Sequence, residues 1–224
     1  MEIPVPYSPD HKKKTRARIV EAARVLFNRD GFDRVTIDMI MNEAGLTRGG
    51  FYSHFRSKET LYSAAVSSFL MGRGAKWRAE AGVDPGRADP SMAVQMIKGY
   101  LSTEHLGDRD GQCPMIALPS DVARSKPEVR AAYQQLLEAM VWLFEKNLKD
   151  PTPEGRQRAL SLAALCIGGM VIARTLPDSA TAESVRTAAF GAAMQLVAGA
   201  PGFSGYERRS GPVGAKERPA EPEA

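Results

Sequence analysis

The sequence predicts an all-α protein, with a three-helix N-terminal domain of the helix-turn-helix kind and a larger helical domain after it. Three observations lead to this prediction. Apolar residues recur at helical spacing along most of the chain, no strand-like alternation of useful length is visible, and short Gly- and Pro-containing clusters separate the helical segments. Of the 224 residues, 43% are hydrophobic and 25% are charged, as in ordinary globular proteins.

The first four helices are predicted from an apolar stripe and from capping residues. The stripe of the first helix consists of Ile19, Ala22, Ala23, Leu26 and Phe27. Gly31 is expected to end this helix and Gly45 the second one, because glycine adopts the left-handed conformation of a C-terminal cap. Thr36, Thr47 and Ser57 are predicted to be the N-caps of the second, third and fourth helices.

The rest of the chain divides at its breaker residues. Residues 82–90 are predicted to be a loop, and the tail at 201–224, made mostly of Gly, Pro and charged residues, is predicted to be disordered. The predicted helices in between lie at about 91–106, 115–124, 127–149, 154–175 and 179–199. We therefore expect three units: residues 1–60, 61–200 and 201–224.

Composition excludes several protein classes. No stretch approaches eighteen uninterrupted apolar residues, so we expect no membrane partner. The N-terminus has no apolar region of the secretory kind, and the two cysteines, Cys113 and Cys166, form neither a disulfide framework nor a metal-binding spacing. We expect a cytoplasmic protein without a metal or cofactor.

Positive charge is concentrated near the N-terminus. Between Lys12 and Arg34 there are eight basic and three acidic residues, whereas residues 61–199 hold fifteen basic and fourteen acidic ones. A basic end on a nearly neutral body favours a polyanionic partner, although a solvated N-terminal arm explains the charge equally well.

The predicted third helix has the residues of a DNA-reading element. A helix, a short turn with glycine and a second helix form the geometry that places the second helix in the major groove. Phe51 and Phe55 would face inward, while Arg48 offers the paired donors that match the O6/N7 edge of guanine. Other small three-helix cores show the same spacing, so the pattern alone does not decide the function.

The segment RARIVEAARVLFNRDGFDRVTIDMIMNEAGLTRGGFYSHFRSKETLY resembles the N-terminal domain of TetR-family repressors. The shared features are the Gly-Phe turn, Ala-Gly-Leu-Thr-Arg-Gly, Phe-Tyr-x-His-Phe and Ser-Lys-Glu-x-Leu. The resemblance implies about nine helices and a homodimer that binds a palindromic double-stranded DNA operator. It implies phosphate contacts by Thr36, Tyr52, His54 and Lys58, and base-edge contacts by Thr47, Arg48 and Gly50.

Two glycines stand inside this reading helix. Gly49 and Gly50 each lower helix stability by roughly 1 kcal/mol relative to alanine. We therefore expect the helix to become fully ordered only on DNA.

Small residues are frequent in the last two predicted helices and allow close helix approach. They suit a symmetric interface between two subunits, and an intramolecular core would use the same residues. They are Ala159, Ala163, Ala164, Gly168, Gly169, Ala188, Ala189, Ala192 and Ala193.

Methionine and aromatic residues of the larger domain are candidates for an effector pocket. Such side chains line adaptable apolar pockets, and at this spacing they also serve as plain core. If the pocket exists, we expect an apolar or weakly polar small-molecule effector that releases the DNA. The candidates are Met96, Tyr100, Cys113, Met115, Met140, Phe144 and Met170.

Cys113 also suggests a second role. It precedes a short predicted helix, whose N-terminus would lower the pKa of the thiol. A lowered thiol pKa favours a redox or electrophile sensor, as in some members of the resembled family. Cys166 is predicted to be an inert packing residue. An enzyme with Cys113 as nucleophile would have only His105 as its base, and no catalytic motif accompanies the two, so no catalytic residue is predicted. A helical interaction module without DNA is the remaining alternative. The sequence does not identify the effector, the operator sequence or the regulated genes, and it does not distinguish a repressor from an activator.

Overall fold

The computed structural model describes residues 9–199, and all regular structure in that range is helical. It contains eleven α-helices and one 3-10 helix, which confirms the all-α prediction and exceeds the implied count of about nine. The α-helices are α1 (Pro9–Arg34), α2 (Ile37–Glu43), α3 (Lys58–Ser68), α4 (Arg73–Glu80), α5 (Pro90–Tyr100), α6 (Thr103–Gly107), α7 (Pro114–Ala117), α8 (Pro119–Ala123), α9 (Pro127–Leu148), α10 (Pro153–Thr175) and α11 (Ser179–Val197); the 3-10 helix spans Arg48–Ser53.

Capping residues mark several helix boundaries of the N-terminal domain, although α1 continues to Arg34 and does not end at Gly31 as predicted. Gly31 interrupts α1 with φ 78° and ψ 171°, and Gly45 follows α2 with φ 64°. The side chain of Thr36 accepts a hydrogen bond from the backbone N–H of Met39, and that of Ser57 accepts one from Thr60. Local chemistry therefore decides where α2 and α3 begin and where α2 ends.

The N-terminal domain is built around aromatic residues that α1 and α3 share. Phe27 and Tyr62 are fully buried, and their ring centroids lie 4.8 Å apart in an edge-on arrangement. Phe32 completes the cluster at 4.8 Å from Tyr62. Aromatic pairs at this distance add to the free energy gained by burial, so α3 is held firmly against α1. Because α3 also packs on α9, the predicted domain boundary at residues 60 and 61 falls inside a helix that touches both parts of the chain.

The middle of the chain is more finely divided than predicted. The single helix expected at about 91–106 is two helices, α5 and α6, and the segment expected at 115–124 is also two, α7 and α8. Pro119 starts the second of these, since proline fits only the first turn of a helix. Helix α4 was not predicted at all. The tail prediction for 201–224 lies outside the described residues.

Helices α10 and α11 pack against each other over most of their length, and small residues make their close approach possible. A β-carbon at Gly169 would lie only 2.8 Å from that of Ala189, so glycine is required there. Ala159, Ala163 and Ala193 are also fully buried inside the chain. By contrast, Ala164 and Ala188 are exposed. Part of the small-residue set thus forms an intramolecular core, and part remains on the surface.

Helix α10 is long and apolar enough to span a membrane by length and composition alone, and 39% of its most apolar window is buried inside the chain. Core helices meet the same criteria, and α10 packs on α9 as well as on α11. The helix is weak evidence for a membrane, and the expected absence of a membrane partner stays a prediction.

Candidate functional site

The predicted reading helix is a 3-10 helix at Arg48–Ser53 rather than an α-helix. Thr47 occupies its N-cap position, but its side chain makes no capping hydrogen bond, so the predicted capping role is wrong. Phe51 and Phe55 are buried at 0% and 2% exposure, as predicted. Because Gly49 and Gly50 give the segment little helical preference of its own, burial of these two phenylalanines holds it in place.

The side chains that this segment leaves outside are those expected to contact DNA. Tyr52 is 63% exposed, and Thr47 is exposed as well. Gly50 is half-buried, and a β-carbon there would lie 3.6 Å from Cε of Met41, an ordinary contact. Thr36 is exposed at the start of α2, and since its oxygen accepts from Met39, its hydroxyl proton remains available to a phosphate. The structure therefore presents these predicted contacts at or near the surface.

Arg48 forms an ion pair on this surface. Its Nη1 lies 2.5 Å from Oδ2 of Asp38 in the first turn of α2. Both side chains are largely exposed, at 63% for Arg48 and 49% for Asp38. No sequence pattern indicates a role for Asp38, because no spacing rule connects the first turn of one helix with the start of the next.

His54 lies among basic groups of α1. Burial of the ring lowers its pKa, and the positive charges of Lys12, Arg16 and His11 lower it further. Arg16 also stacks its guanidinium 4.5 Å from the centroid of the Phe55 ring. The imidazole is therefore expected to be neutral at pH 7. The basic start of α1 lies next to the 3-10 helix. A polyanion bound to these basic groups would also contact Tyr52.

Lys58 is engaged inside the protein. Its Nζ donates hydrogen bonds to the carbonyl oxygens of Phe32 and Val35, at 2.8 and 2.9 Å, and lies 4.1 Å from the centroid of the Phe32 ring. An ammonium group has three donors, so one remains for a phosphate. The structure thus gives Lys58 an additional task, which is to fix the turn between α1 and α2.

Replacing Gly49 with alanine is expected to raise the free energy of unfolding by about 0.4–1 kcal/mol. No atom lies within 4 Å of a β-carbon at this position, and the φ angle of Gly49 is not positive, so the gain is the reduced entropy of the unfolded chain. Urea unfolding followed by circular dichroism measures the change. The matched control is Gly45→Ala, which must destabilise the protein because φ is 64° there. A loss of stability in Gly49→Ala would contradict this account of the reading segment.

A small internal cavity lies in the larger domain, between α4, α5 and α9. Of the predicted pocket residues, Met96, Tyr100, Cys113, Met115 and Met140 line it. Phe144 and Met170 are fully buried in the surrounding core and do not line this cavity, so the structure does not place them in the predicted pocket. The wall also includes Phe69, Leu70, Gly74, Trp77, Arg78, His105, Leu136, Ala139 and Leu143.

The cavity is mostly apolar and very small. Its volume is about 40 Å³, close to the space of one water molecule, whereas small-molecule sites usually measure about 300–1,000 Å³. The hydroxyl of Tyr100 is buried without a hydrogen-bond partner among residues 9–199. A ligand larger than water would therefore have to enlarge the cavity. The hydroxyl of Tyr100 would then be available for a hydrogen bond with that ligand.

Cys113 does not have the environment that the sequence suggested. The residue is 2% exposed, and burial raises the pKa of its thiol to about 11, although a backbone N–H of Met115 and the Tyr100 side chain lower it in part. The predicted lowering of the pKa is wrong because α7 has only four residues and its N-terminus cannot offset complete burial. Burial raises the pKa of Cys166 to about 12, in keeping with the packing role predicted for it.

Both thiols are expected to react slowly with a maleimide while the protein is folded. A rise in the pKa of Cys113 from 9.0 to about 11 lowers its thiolate fraction near pH 7 by about 100-fold. The unfolded chain loses this proton first, so the thiol's contribution to stability is present below pH 9 and declines as the pH rises toward 11. Mass spectrometry of labelled native and urea-unfolded protein, with Cys113→Ser to assign the site, measures the rates. Equal labelling of Cys113 in both states would favour the sensor prediction, which stays open.

A buried polar network joins the cavity wall to α1, and no sequence pattern indicates it. Gln112 is fully buried, its backbone oxygen accepts a hydrogen bond from Nδ2 of Asn28 at 2.7 Å, and its Oε1 accepts one from Nη1 of Arg174 at 2.5 Å. Its Nε2 donates to the backbone oxygen of His105 at 3.3 Å. His105 and Cys113, the neighbour of Gln112, both line the cavity. A change in the cavity wall would therefore reach α1 through hydrogen bonds, of which the one between Asn28 and Gln112 is buried.

The residues of the surface formed by α2 and the 3-10 helix lie in a segment that matches a known protein family. The sequence pattern of the family described as "Bacterial regulatory proteins, tetR family" matches residues 19–65, which include α2, the 3-10 helix and most of α3. The N-terminal segment of the chain therefore carries the sequence pattern of the TetR family. This is a family of regulatory proteins, which agrees with the prediction that the chain is not an enzyme.

The relatives with curated names match only part of this chain. The uncharacterized HTH-type transcriptional regulator YfiR of Bacillus subtilis is 38% identical over 96 residues, which cover 42% of this chain and 40% of that protein. The HTH-type transcriptional regulator TtgR of Pseudomonas putida is 41% identical over 59 residues, or 26% of this chain and 28% of that protein. The matches thus span less than half of the length of these relatives.

Solved structures resemble this chain over most of its length. A TetR transcriptional regulator from Chloroflexus aurantiacus has a TM-score of 0.68 and 22% identity, covering 83% of this chain and 97% of that one. Escherichia coli NemR in its reduced form has a TM-score of 0.64 and 19% identity, covering 80% and 95%. At these identities the likeness shows the shared fold.

Proposed function

We propose that this chain is a DNA-binding transcriptional repressor that acts as a homodimer in the cytoplasm and leaves its operator when a small molecule binds. The observation that carries the proposal is the surface formed by α2 and the 3-10 helix. Exposed Arg48, Thr47 and Tyr52 are held there on two buried phenylalanines, next to the basic start of α1 and inside the segment that matches the TetR family.

On the DNA side, we assign the exposed residues to two tasks. Thr36, Tyr52 and His54 contact phosphates through hydroxyl or imidazole groups, and Lys58 does so with its remaining N–H. Arg48, Thr47 and Gly50 face base edges, where Arg48 recognises guanine through O6 and N7 and the absence of a side chain at Gly50 lets the backbone approach.

A homodimer is supported by the surface of α10 and α11 that remains uncovered. Exposed Ala164 and Ala188 permit close helix approach, and Ile172, on the same helix as Ala164, is 51% exposed. Large apolar side chains of this kind stabilise an interface when two copies cover each other's surface. Two-fold symmetry of the dimer would place two 3-10 helices on two half-sites of a palindromic operator.

Effector release is supported by the cavity and by the network behind it. A molecule that enlarges the cavity would displace residues 105–113 and, through Gln112 and Asn28, shift α1. Such a ligand lowers DNA affinity only if it binds the DNA-incompetent arrangement better. The wall favours a largely apolar molecule with one polar group for Tyr100 or Arg78.

A footprinting titration tests the proposed DNA binding. Wild-type protein is titrated onto the DNA upstream of its own gene at several salt concentrations, with an unrelated fragment of equal length as the control. We expect a two-fold symmetric footprint on the upstream DNA and an affinity that falls as salt rises. Equal, salt-independent binding to both fragments, or no binding to either, would contradict the proposal. Sedimentation of the free protein tests the dimer independently.

A further inference from the structure

The ion pair between Asp38 and Arg48 joins the two elements that would face the DNA. Asp38 lies in the first turn of α2, and Arg48 is the first residue of the 3-10 helix. Their side chains meet at 2.5 Å, and both are about half-exposed or more. The pair therefore fixes the direction of an arginine that would otherwise have many rotamers.

The contact leaves the recognition edge of Arg48 available. Only Nη1 is bonded to Asp38, through Oδ2. The Nε and Nη2 groups still present parallel N–H donors, which is the arrangement that matches O6 and N7 of guanine. An arginine held in this way loses less side-chain entropy on binding a base, and it cannot easily swing away to a phosphate.

We propose that Asp38 is a specificity-determining residue of the DNA interface. It orients Arg48 toward guanine, and its second carboxylate oxygen accepts a hydrogen bond from the N4 amino group of a cytosine at the neighbouring position. An ionised carboxylate is an acceptor only, so it repels phosphates and the acceptor edges of guanine, and it disfavours incorrect sites as well as favouring the correct one. The inference rests on the proposed function, since it concerns which bases the same surface reads.

A binding selection from a randomised DNA library tests the role of Asp38. Wild type, Asp38→Ala and Glu43→Ala are compared, with the affinity of each for selected and for random DNA measured afterwards. Glu43 is an exposed acid on the same helix, so its variant controls for the loss of one negative charge. Both variants should bind random DNA somewhat better than wild type, because each removes a charge that repels phosphate.

Only Asp38→Ala should change the sequence preference. We expect its preference for guanine at the Arg48 position, and for cytosine beside it, to fall by about five- to tenfold, a part of what one good base contact contributes. In the Arg48→Ala background, removal of Asp38 should no longer change the guanine preference. Thermal unfolding of both alanine variants checks that α2 still forms.

The outcomes separate this inference from the function on which it rests. If wild type selects no sequence at all, the proposed function fails. If wild type selects a sequence and Asp38→Ala selects the same one as strongly, the proposed function stands and the role of Asp38 is wrong. If Glu43→Ala relaxes the preference as much as Asp38→Ala does, the effect is one of net charge and the inference is also wrong.

Discussion

Replacing Arg48 with alanine is expected to weaken binding to the preferred DNA by about 1–3 kcal/mol per half-site. The change removes the paired donors to guanine, and both half-sites of a dimer lose them. Binding to random DNA should change little, because the basic start of α1 still neutralises phosphates. Fluorescence anisotropy with selected and random duplexes of equal length measures both affinities.

The matched control for this variant is Arg87→Ala. Arg87 is an exposed arginine between α4 and α5, 61% exposed and 4.0 Å from an acidic partner, Asp89. It resembles Arg48 in exposure and pairing but lies outside the N-terminal domain. Its loss should leave both affinities unchanged. If Arg48→Ala retains the wild-type ratio of specific to random binding, Arg48 does not read a base.

Replacing Phe51 with alanine is expected to lower the free energy of unfolding by about 3–5 kcal/mol. Phe51 has 0% exposure, its ring centroid lies 6.0 Å from that of Phe55, and its side chain anchors a segment that contains two glycines. The N-terminal domain would lose packing and the direction of the 3-10 helix together. Urea unfolding gives the stability change, and the variant's DNA affinity is measured at a temperature at which it is still folded.

Tyr52→Ala is the control for the loss of an aromatic ring at the neighbouring position. Because Tyr52 is 63% exposed, its removal should change stability by less than about 1 kcal/mol while weakening DNA binding. The two variants thus separate the residue that holds the segment from the residue that touches the DNA. Equal losses of stability would show that the 3-10 helix is not anchored through Phe51.

The N-terminal domain was largely predictable because its signals are local. Thr36 and Ser57 cap the helices that follow them, Gly45 takes a positive φ angle just after α2, and Gly31 takes one at a kink within α1. The error at Thr47 has the same local origin. Two adjacent glycines favour a tighter, weaker helix, in which the threonine side chain makes no capping hydrogen bond.

Long-range packing explains what the sequence did not reveal. Helix α4 begins at Arg73, after an N-cap glycine that has no side chain to cap it, and Trp77 on it lines the cavity beside Tyr100 of α5. Gln112, Asn28 and Arg174 are far apart in the chain, and nothing in their spacing indicates that they meet in a buried network. The raised pKa of Cys113 is likewise a property of its burial rather than of its neighbours in sequence.

Methylation interference at guanine N7 tests the central claim, that Arg48 of each subunit reads a guanine in a two-fold symmetric site. Methylation at N7 blocks the bidentate contact with arginine without changing the phosphates. We predict that wild type is excluded by methylation of one guanine in each half-site, symmetrically placed. In Arg48→Ala, methylation of the same two guanines should no longer matter. Interference that is asymmetric, or that is unchanged in Arg48→Ala, would contradict the account.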